Sequence, residues 1–496
     1  MHEVVDVAIV GLGPTGASLA NLLGQAGLSV ALFERDGAIY SLPRAIHFDG
    51  EVMRVFHGMG LKGEIEAVTR AGDKNMTFVN ADNQVLLVRG GAKLNGPHGC
   101  ANNHYCHQPE LEGALRRGLE RFSRVQVLLR HEVFAIAEGA DAMRLSVENM
   151  ANGSLHECHA RHVVGCDGAR SLVRRLMGST MEDLGLHQPW LVFDALLKRD
   201  VPTLPDHTVQ HCDPARPATY CNVVGRRRRW EIMLLPGDDA LAMARPENVW
   251  KLVSRWITPD DANIERAVVY TFHSVIARGW RSGRLMIAGD SAHQTPPFLG
   301  QGMCAGIRDA ANLAWKLALV VRGRAPDTLL DTYESERAPH VRAFIDLAVR
   351  LGDVIQTTDP VVAAERDRKF ATGKPEIFEF PAPGLGPGIR ADEGFPAGQP
   401  FPQPTLADGR LLDAAIGERF AVLATPELLA SMDEATRARC AMLDAAMLAD
   451  SAPGLRNWFA AHSTQAVVLR PDRYIVGVAS NAADLARVCA RLPLAA

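Results

Sequence analysis

Gly11, Gly13 and Gly16 stand in a Gly-x-Gly-x-x-Gly spacing, and a carboxylate, Glu34, follows about twenty residues later. Glycines so placed let the chain turn sharply, bring backbone up to a pyrophosphate and pack a helix closely on a strand. The carboxylate takes ribose hydroxyls and disfavours a 2′-phosphate, so the nucleotide is FAD or NAD rather than NADP. Pro14 and Thr15 lie between the glycines and Arg35 follows the acid, and all three are assigned to the same site. The elements around them fit. The run Val7-Ala-Ile-Val10 is short and partly β-branched, as in a strand buried on both faces of a parallel sheet. The helix after it tolerates Pro14 in its first turn and directs free N–H groups at phosphates without needing a lysine.

Two further segments repeat the design. Arg284-Leu-Met-Ile-Ala-Gly289-Asp290 reads as an apolar strand that delivers a carboxylate to a sheet edge, where open α/β folds keep their ligands. Pro296-Pro297 and Gly300-Gln301-Gly302-Met303 then form a rigid turn and a loop whose N–H groups can face a ring before a helix over residues 304–319. Between these signals, Val163-Val-Gly-Cys-Asp167-Gly168 is another strand ending in Asp-Gly, with Ser171 and Arg174 on a following helix.

In this order and at this separation the three segments resemble the FAD-dependent single-component aromatic hydroxylases, the class A flavoprotein monooxygenases, over about residues 5 to 350. The likeness is nearest the subgroup acting on phenolic acids, resorcinols and phenols, through Pro43-Arg-Ala-Ile-His-Phe-Asp49, Ala288-Gly-Asp-Ser-Ala-His293 and Arg308-Asp-Ala-Ala-Asn-Leu-Ala-Trp-Lys-Leu317. The resemblance implies FAD held by Gly11, Gly13, Gly16 and Glu34 at its ADP half and by Gly289 and Asp290 at its ribityl side. Asp167 and Gly168 would serve FAD and the reduced nicotinamide, while Arg44 and Gln108 touch the flavin. It implies NADH or NADPH as co-substrate, O2 as oxidant, and ring hydroxylation through a flavin C4a-hydroperoxide. One departure is Cys304, where many members carry asparagine.

An electrophilic oxygen needs an electron-rich ring, which a base near neutral pKa supplies by deprotonating a phenol. His47, three residues after Arg44, is the first candidate, and Asp49 lies on the same side of an extended segment. Read more plainly, His47 is a polar residue on a pocket wall and Asp49 a helix N-cap. In the alternating residues 185–280, Tyr220 and Tyr270 could donate to a phenolate and His211 and His273 could relay a proton, or all four could be satisfied by backbone. The run Arg226 to Arg229, after Gly225, reads as a solvated hairpin turn.

The expected fold is α/β: a Rossmann-like FAD-binding domain (1–180 and 281–355), an inserted β-sheet substrate domain (181–280), a Pro/Gly-rich linker (356–404) and a small thioredoxin-like domain (405–496). A length of 496 residues suits two or three domains, and 47% hydrophobic with 22% charged residues is ordinary for a globular protein. A net charge of −4 argues against nucleic acid as partner. No apolar run reaches the ~20 residues of a membrane span. Nine scattered cysteines and no cationic leader suggest a cytoplasmic protein with reduced thiols. His98, Cys100, His104, Cys106 and His107 lie close together, but their spacing fits no usual zinc site, so no metal is expected. A small phenol is the expected partner, with a homodimer as the oligomer considered. The rival readings are a same-fold FAD oxidoreductase acting on a non-phenolic substrate and a flavin-binding module without turnover.

Overall fold

In the computed structural model, which describes residues 4–40, 44–371, 373–379, 382–391, 394–449 and 452–495, three parallel strands end side by side. Val4–Val10 pairs in parallel with Ser154–Gly165, which pairs in parallel with Leu285–Ile287. The register sets Val10 opposite Gly165 and Gly165 opposite Ile287. The turns that begin at Gly11, Cys166 and Ala288 therefore leave one sheet edge together, as strands buried on both faces require of their loops. Val30–Glu34 and Val125–Leu129 extend the parallel sheet on the far side of the first strand.

Two helices cover this edge. Pro14–Gln25 crosses Gly302–Val321, which is buried on nearly every side. Their approach depends on glycine. A methyl group on Gly306 would lie 2.2 Å from Thr15 Oγ1 and 3.1 Å from Gly289 Cα. Gly289 itself adopts φ +63, a left-handed conformation that favours glycine.

Among the described residues the second sheet has nine strands. Its centre is Ala262–Arg278, Thr180–Leu197, Arg227–Met233, Ala218–Asn222 and Val209–His211. Met76–Val79, Val85–Arg89 and Glu376–Phe378 continue it on one side, and His293–Gln294 closes the other. The expectation of a sheet within 181–280 is thus too narrow, because both flanking segments contribute strands. Residues 356–404 are likewise more than a linker: they hold the helix Pro360–Phe370 and the strand Glu376–Phe378, which pairs in parallel with Val85–Arg89.

A distinct C-terminal domain carries a four-stranded sheet in the order Ala446–Ala449, Ala421–Ala424, Ala466–Leu469, Ile475–Ala479. It docks on the long helix Gly302–Val321, where Trp315 meets Phe420 edge-on at 5.3 Å between ring centroids. Beside this contact a buried ion cluster joins Lys316 to Glu336 at 2.7 Å and Glu336 to Arg470 at 2.9 Å. Cys440 and Cys489, isolated in sequence, bring their sulfurs within 3.8 Å. No helix among the described residues is long and apolar enough to cross a membrane.

Gly306→Ala will lower stability by roughly 1–3 kcal/mol, the usual cost of overpacking a close crossing. Adding Thr15→Ala will recover part of it. Urea unfolding of the single and double variants measures both.

Candidate functional site

The sheet edge forms a cradle. A methyl on Gly11 would meet Cys166 O at 2.4 Å and one on Gly16 would meet Gly11 O at 2.0 Å, whereas nothing lies within 4 Å of the same position on Gly13. Gly11 and Gly16 close the turn, and Gly13 faces open space at the start of the helix. Pro14 opens that helix, and its N-cap, Gly13, has no side chain to occupy the end. This is room for a pyrophosphate against unshielded N–H groups. Glu34 is steered toward the cradle by Leu12 N and Asp36 N, which donate to its two oxygens at 2.9 and 3.0 Å. Arg35 next to it is exposed.

Asp167 is occupied by protein. Its Oδ2 accepts from Leu172 N at 2.6 Å, and its Oδ1 accepts from Ser291 Oγ at 3.0 Å. Gly168 N donates to the same Ser291 Oγ at 2.9 Å, so the Asp-Gly turn and the Gly-Asp turn are tied together. Asp290, beside Ser291, is half exposed and faces Arg44 Nη1 at 4.0 Å.

The backbone at Arg44 is held from both sides. Gln108 Oε1 accepts from Arg44 N at 2.9 Å and from Ala45 N at 2.6 Å, so the Gln108 oxygen positions the turn. From the second sheet, Arg229 Nη1 donates to Arg44 O at 2.6 Å. Arg229 is 1% exposed and paired with Asp194 at 2.7 and 3.0 Å, with Arg266 at 3.5 Å from the same carboxylate. The solvated-turn reading of 226–229 holds only for its start. The strand begins at Arg227, and its alternation turns Arg229 inward across from Asp194.

His47 sits at the end of this assembly. The short strand His47–Asp49 pairs with Asn103–Cys106, and Asn103 Oδ1 lies 3.1 Å from His47 Nε2 and 2.6 Å from Arg89 Nη2. An oxygen that accepts from arginine accepts from the imidazole as well, which assigns the proton to Nε2 and the lone pair to Nδ1. Nδ1 faces Gly300, where a methyl would approach it to 2.9 Å. Gly300 takes the left-handed φ +66 that this approach needs, after a turn begun by Pro297. Arg89 Nη1 also donates to Leu299 O at 3.3 Å. Burial, and then the Arg89 charge, push the His47 pKa down to about 4, so the ring is neutral at neutral pH. A cavity of about 170 Å³ adjoins this cluster, lined in part by Asp49, Arg89, Asn103, Arg308, Phe344 and Glu379.

Asp49 is committed elsewhere. It caps the helix Gly50–Gly58 through Val52 N and accepts from Arg308 Nη2 at 2.5 Å and Gln301 Nε2 at 3.0 Å. Burial would raise this carboxyl, but the Arg308 charge and these bonds hold it well below the usual carboxylate range. A carboxylate so stabilised is a poor base, and the cap reading fits its geometry. Tyr220 lies on the far face of the second sheet, packed on Trp230 and donating to Pro205 O at 2.9 Å. Tyr270 is three strands away on the opposite face, beside Trp190 and under Arg266, with Tyr40 close to its hydroxyl. His211 packs on Trp256, and His273 meets His187 at the surface. Neither reaches His47's cluster through a described bond.

Gly302 opens the long helix behind a cap, Gln301, that makes no side-chain cap bond. Met303 is half-buried there, and Cys304 donates to Gly300 O at 3.5 Å. Arg89, Asn103, Asp194 and Arg308 were not singled out from sequence as site residues. The available signal was strand phase for Asp194, and none was local for Arg89 and Asn103.

Residues 4–348 match the FAD binding domain family and residues 398–495 match the HcaD C-terminal domain family. A probable NADH-specific resorcinol 4-hydroxylase of Rhodococcus jostii (strain RHA1) is 38% identical, covering 99% of this chain and 95% of its own. A 3-(3-hydroxy-phenyl)propionate/3-hydroxycinnamic acid hydroxylase of Mycolicibacterium smegmatis (strain ATCC 700084 / mc(2)155) is 35% identical, covering 97% of this chain and 92% of its own. The solved structure of the flavin-dependent monooxygenase PieE, in complex with FAD and substrate, superposes with a TM-score of 0.83 over 99% of each chain at 21% identity, which shows a shared fold.

Two outcomes follow from this geometry. Asp194→Ala leaves Arg229 buried without its carboxylate and will cost roughly 3–5 kcal/mol in urea unfolding, with earlier release of flavin fluorescence. The folded pKa of His47 near 4 lies below its unfolded value near 6.5. Between those values the unfolded chain binds a proton that the native state refuses, so stability present at higher pH is lost on acidification. Wild type will therefore lose about 2 kcal/mol more than His47→Gln between pH 7 and pH 5.

Proposed function

The chain belongs to the FAD-binding monooxygenases, and we propose that it hydroxylates a phenolic ring, with NADH as reductant and dioxygen as oxidant. The main support is the buried His47–Asn103–Arg89 cluster under Gly300, in a chain that aligns almost end to end with hydroxylases named for resorcinol and 3-(3-hydroxy-phenyl)propionate.

The residues present fit FAD. The open position at Gly13 and the unfilled helix end after it suit the pyrophosphate, and Glu34, held by backbone donors, suits the ribose. Asp290 and Arg44 would take the ribityl side. Pro297, Gly300, Gly302 and Met303 would frame the flavin ring, and Asp167 with Gly168 would act through the Ser291 tie that shapes this edge. FAD held there would supply the redox chemistry, with NADH as the hydride donor and dioxygen as the source of the added ring oxygen and of the water released.

The protein's part is to position and charge the substrate. Nδ1 of His47 carries a lone pair, because Asn103 holds the ring proton at Nε2; it is buried against Gly300, so a phenol hydroxyl reaches it only where the Gly300 turn gives way. Arg89, close by and buried, stabilises the phenolate by its charge, so deprotonation does not require a strongly basic imidazole. That negative charge raises electron density ortho and para to the oxygen, where the hydroxyl is added. Tyr270, on the face of the second sheet that carries Arg266 and Asp194, is a further donor toward the substrate side. The wall of the second sheet and the turn after Pro296 keep water from the reacting atoms.

We read the C-terminal domain as thioredoxin-like. The support is its sheet order, second, first, third and fourth strand, with the first two parallel and the others antiparallel to their neighbours. It has no Cys-x-x-Cys, so its part is docking rather than disulfide chemistry. The free cysteines are in keeping with a cytoplasmic enzyme.

The test is NADH oxidation by the FAD-loaded protein with resorcinol, 3-(3-hydroxyphenyl)propionate and simple phenols, with product analysis. One ring should accelerate oxidation and return with one added hydroxyl. Oxidation indifferent to every phenol would count against the proposal. His47→Gln should lower hydroxylation by about 10²–10⁴-fold near neutral pH. The loss should shrink as the medium approaches the pKa of the phenol itself, about 10.

A further inference from the structure

Tyr474 belongs to the C-terminal domain, yet its hydroxyl donates to Glu51 Oε1 at 2.6 Å, on the first turn of the helix after His47–Asp49. The other oxygen of Glu51 accepts from Arg308 Nε at 2.7 Å. The other two nitrogens of Arg308 donate to Asp49 Oδ2 at 2.5 Å and Gln301 Oε1 at 3.0 Å. Gln301 in turn donates to Asp49 at 3.0 Å. Gln301 is 1% exposed and lies between Gly300, which touches His47, and Gly302, which opens the long helix. One continuous set of buried charge-assisted bonds thus runs from the C-terminal domain to the turn beside His47.

We propose that Tyr474 is a positioning residue for ring hydroxylation: through Glu51 and Arg308 it fixes Gln301, and with it the Gly300 turn that faces the flavin and His47. The inference rests on the hydroxylase reading and adds to it a task for the C-terminal domain. The physical reason is satisfaction of buried charge. Glu51 needs both donors, and Arg308 is buried between two segments, the start of the helix Gly50–Gly58 with Asp49 and Glu51, and the turn with Gln301. Without the tyrosine hydroxyl, Glu51 is free to turn toward other donors, and Arg308 follows it. Gln301 then keeps only one of its two partners, Asp49. A turn that shifts by a fraction of an ångström still admits hydride transfer but places the oxygen-transfer geometry out of line, and reducing equivalents leave as hydrogen peroxide.

Tyr474→Phe removes only the hydroxyl. In the FAD-loaded protein, amide hydrogen exchange in residues 297–306 should accelerate on the order of tenfold, as for loss of one hydrogen bond. Product formed per NADH should fall at least about twofold with a matching rise in peroxide, while the NADH oxidation rate changes little. Phe420→Leu loosens the same domain contact at Trp315 without touching this set of bonds, and at an equal or greater loss of Tm it should leave both readouts at wild-type values. Wild-type exchange and coupling in Tyr474→Phe would overturn the proposal. So would the same changes in Phe420→Leu, since docking alone would then account for them. If wild type hydroxylates no phenol, the hydroxylase reading fails, and the exchange comparison still decides whether Tyr474 holds the turn.

Discussion

A guanidinium removed from water must be matched donor by donor, and Arg308 imposes that constraint on the centre of this molecule. Its partners Asp49, Glu51 and Gln301 come from a strand end, a helix start and a glycine turn. Taking ions out of water costs several kcal/mol each after relaxation, and only full pairing offsets this. The start of that helix and the glycine turn are therefore not free to move separately. Arg229 imposes the same condition on the other side, where Asp194 neutralises it and the Arg44 carbonyl takes one of its remaining donors. Between these two buried arginines run His47 and the turns that frame the cofactor edge. The site is held by electrostatic necessity more than by apolar packing.

The parallel sheet explains why distant parts of the sequence can serve one site. Strands that share a direction release their following turns at one edge, and the register here aligns Val10, Gly165 and Ile287. The close crossing at Thr15, Gly289 and Gly306 then brings the long helix, and with it Arg308, up against the glycine turn at the sheet edge. Neutral His47 is a consequence of the same burial. In the proposed reaction its weak basicity is offset by the Arg89 charge, which would favour a phenolate for the same reason that it disfavours an imidazolium.

The glycine turns were legible because each answers a steric demand that any sequence must meet in the same way. The cap role of Asp49 was legible from its place before an amphipathic run. Strand phase was not. Tyr220 and Tyr270 look alike in the alternating segments, and only the register sends one to the Trp230 face and the other to the Trp190 face. Arg229 was hidden in a run of four arginines for the same reason, since a shift of one residue separates a solvated side chain from a buried ion pair. Arg89 and Asn103 meet His47 through pairings between separate strands, and the contributions of residues 76–89 and 376–378 to the second sheet have no local signature. Tyr474 could not be placed until the C-terminal domain was docked.

The claim that most needs measuring is that the site draws the proton from a bound phenol. A phenol whose phenolate absorbs at longer wavelength than its neutral form can be titrated on the FAD-loaded enzyme in the absence of NADH. The account predicts that its apparent pKa falls by about a unit or more on wild type, each unit being about 1.4 kcal/mol of preference for the phenolate, and that this shift is lost in His47→Gln. A bound phenol that titrates as it does in water, or that is equally ionised on the His47 variant, would contradict it.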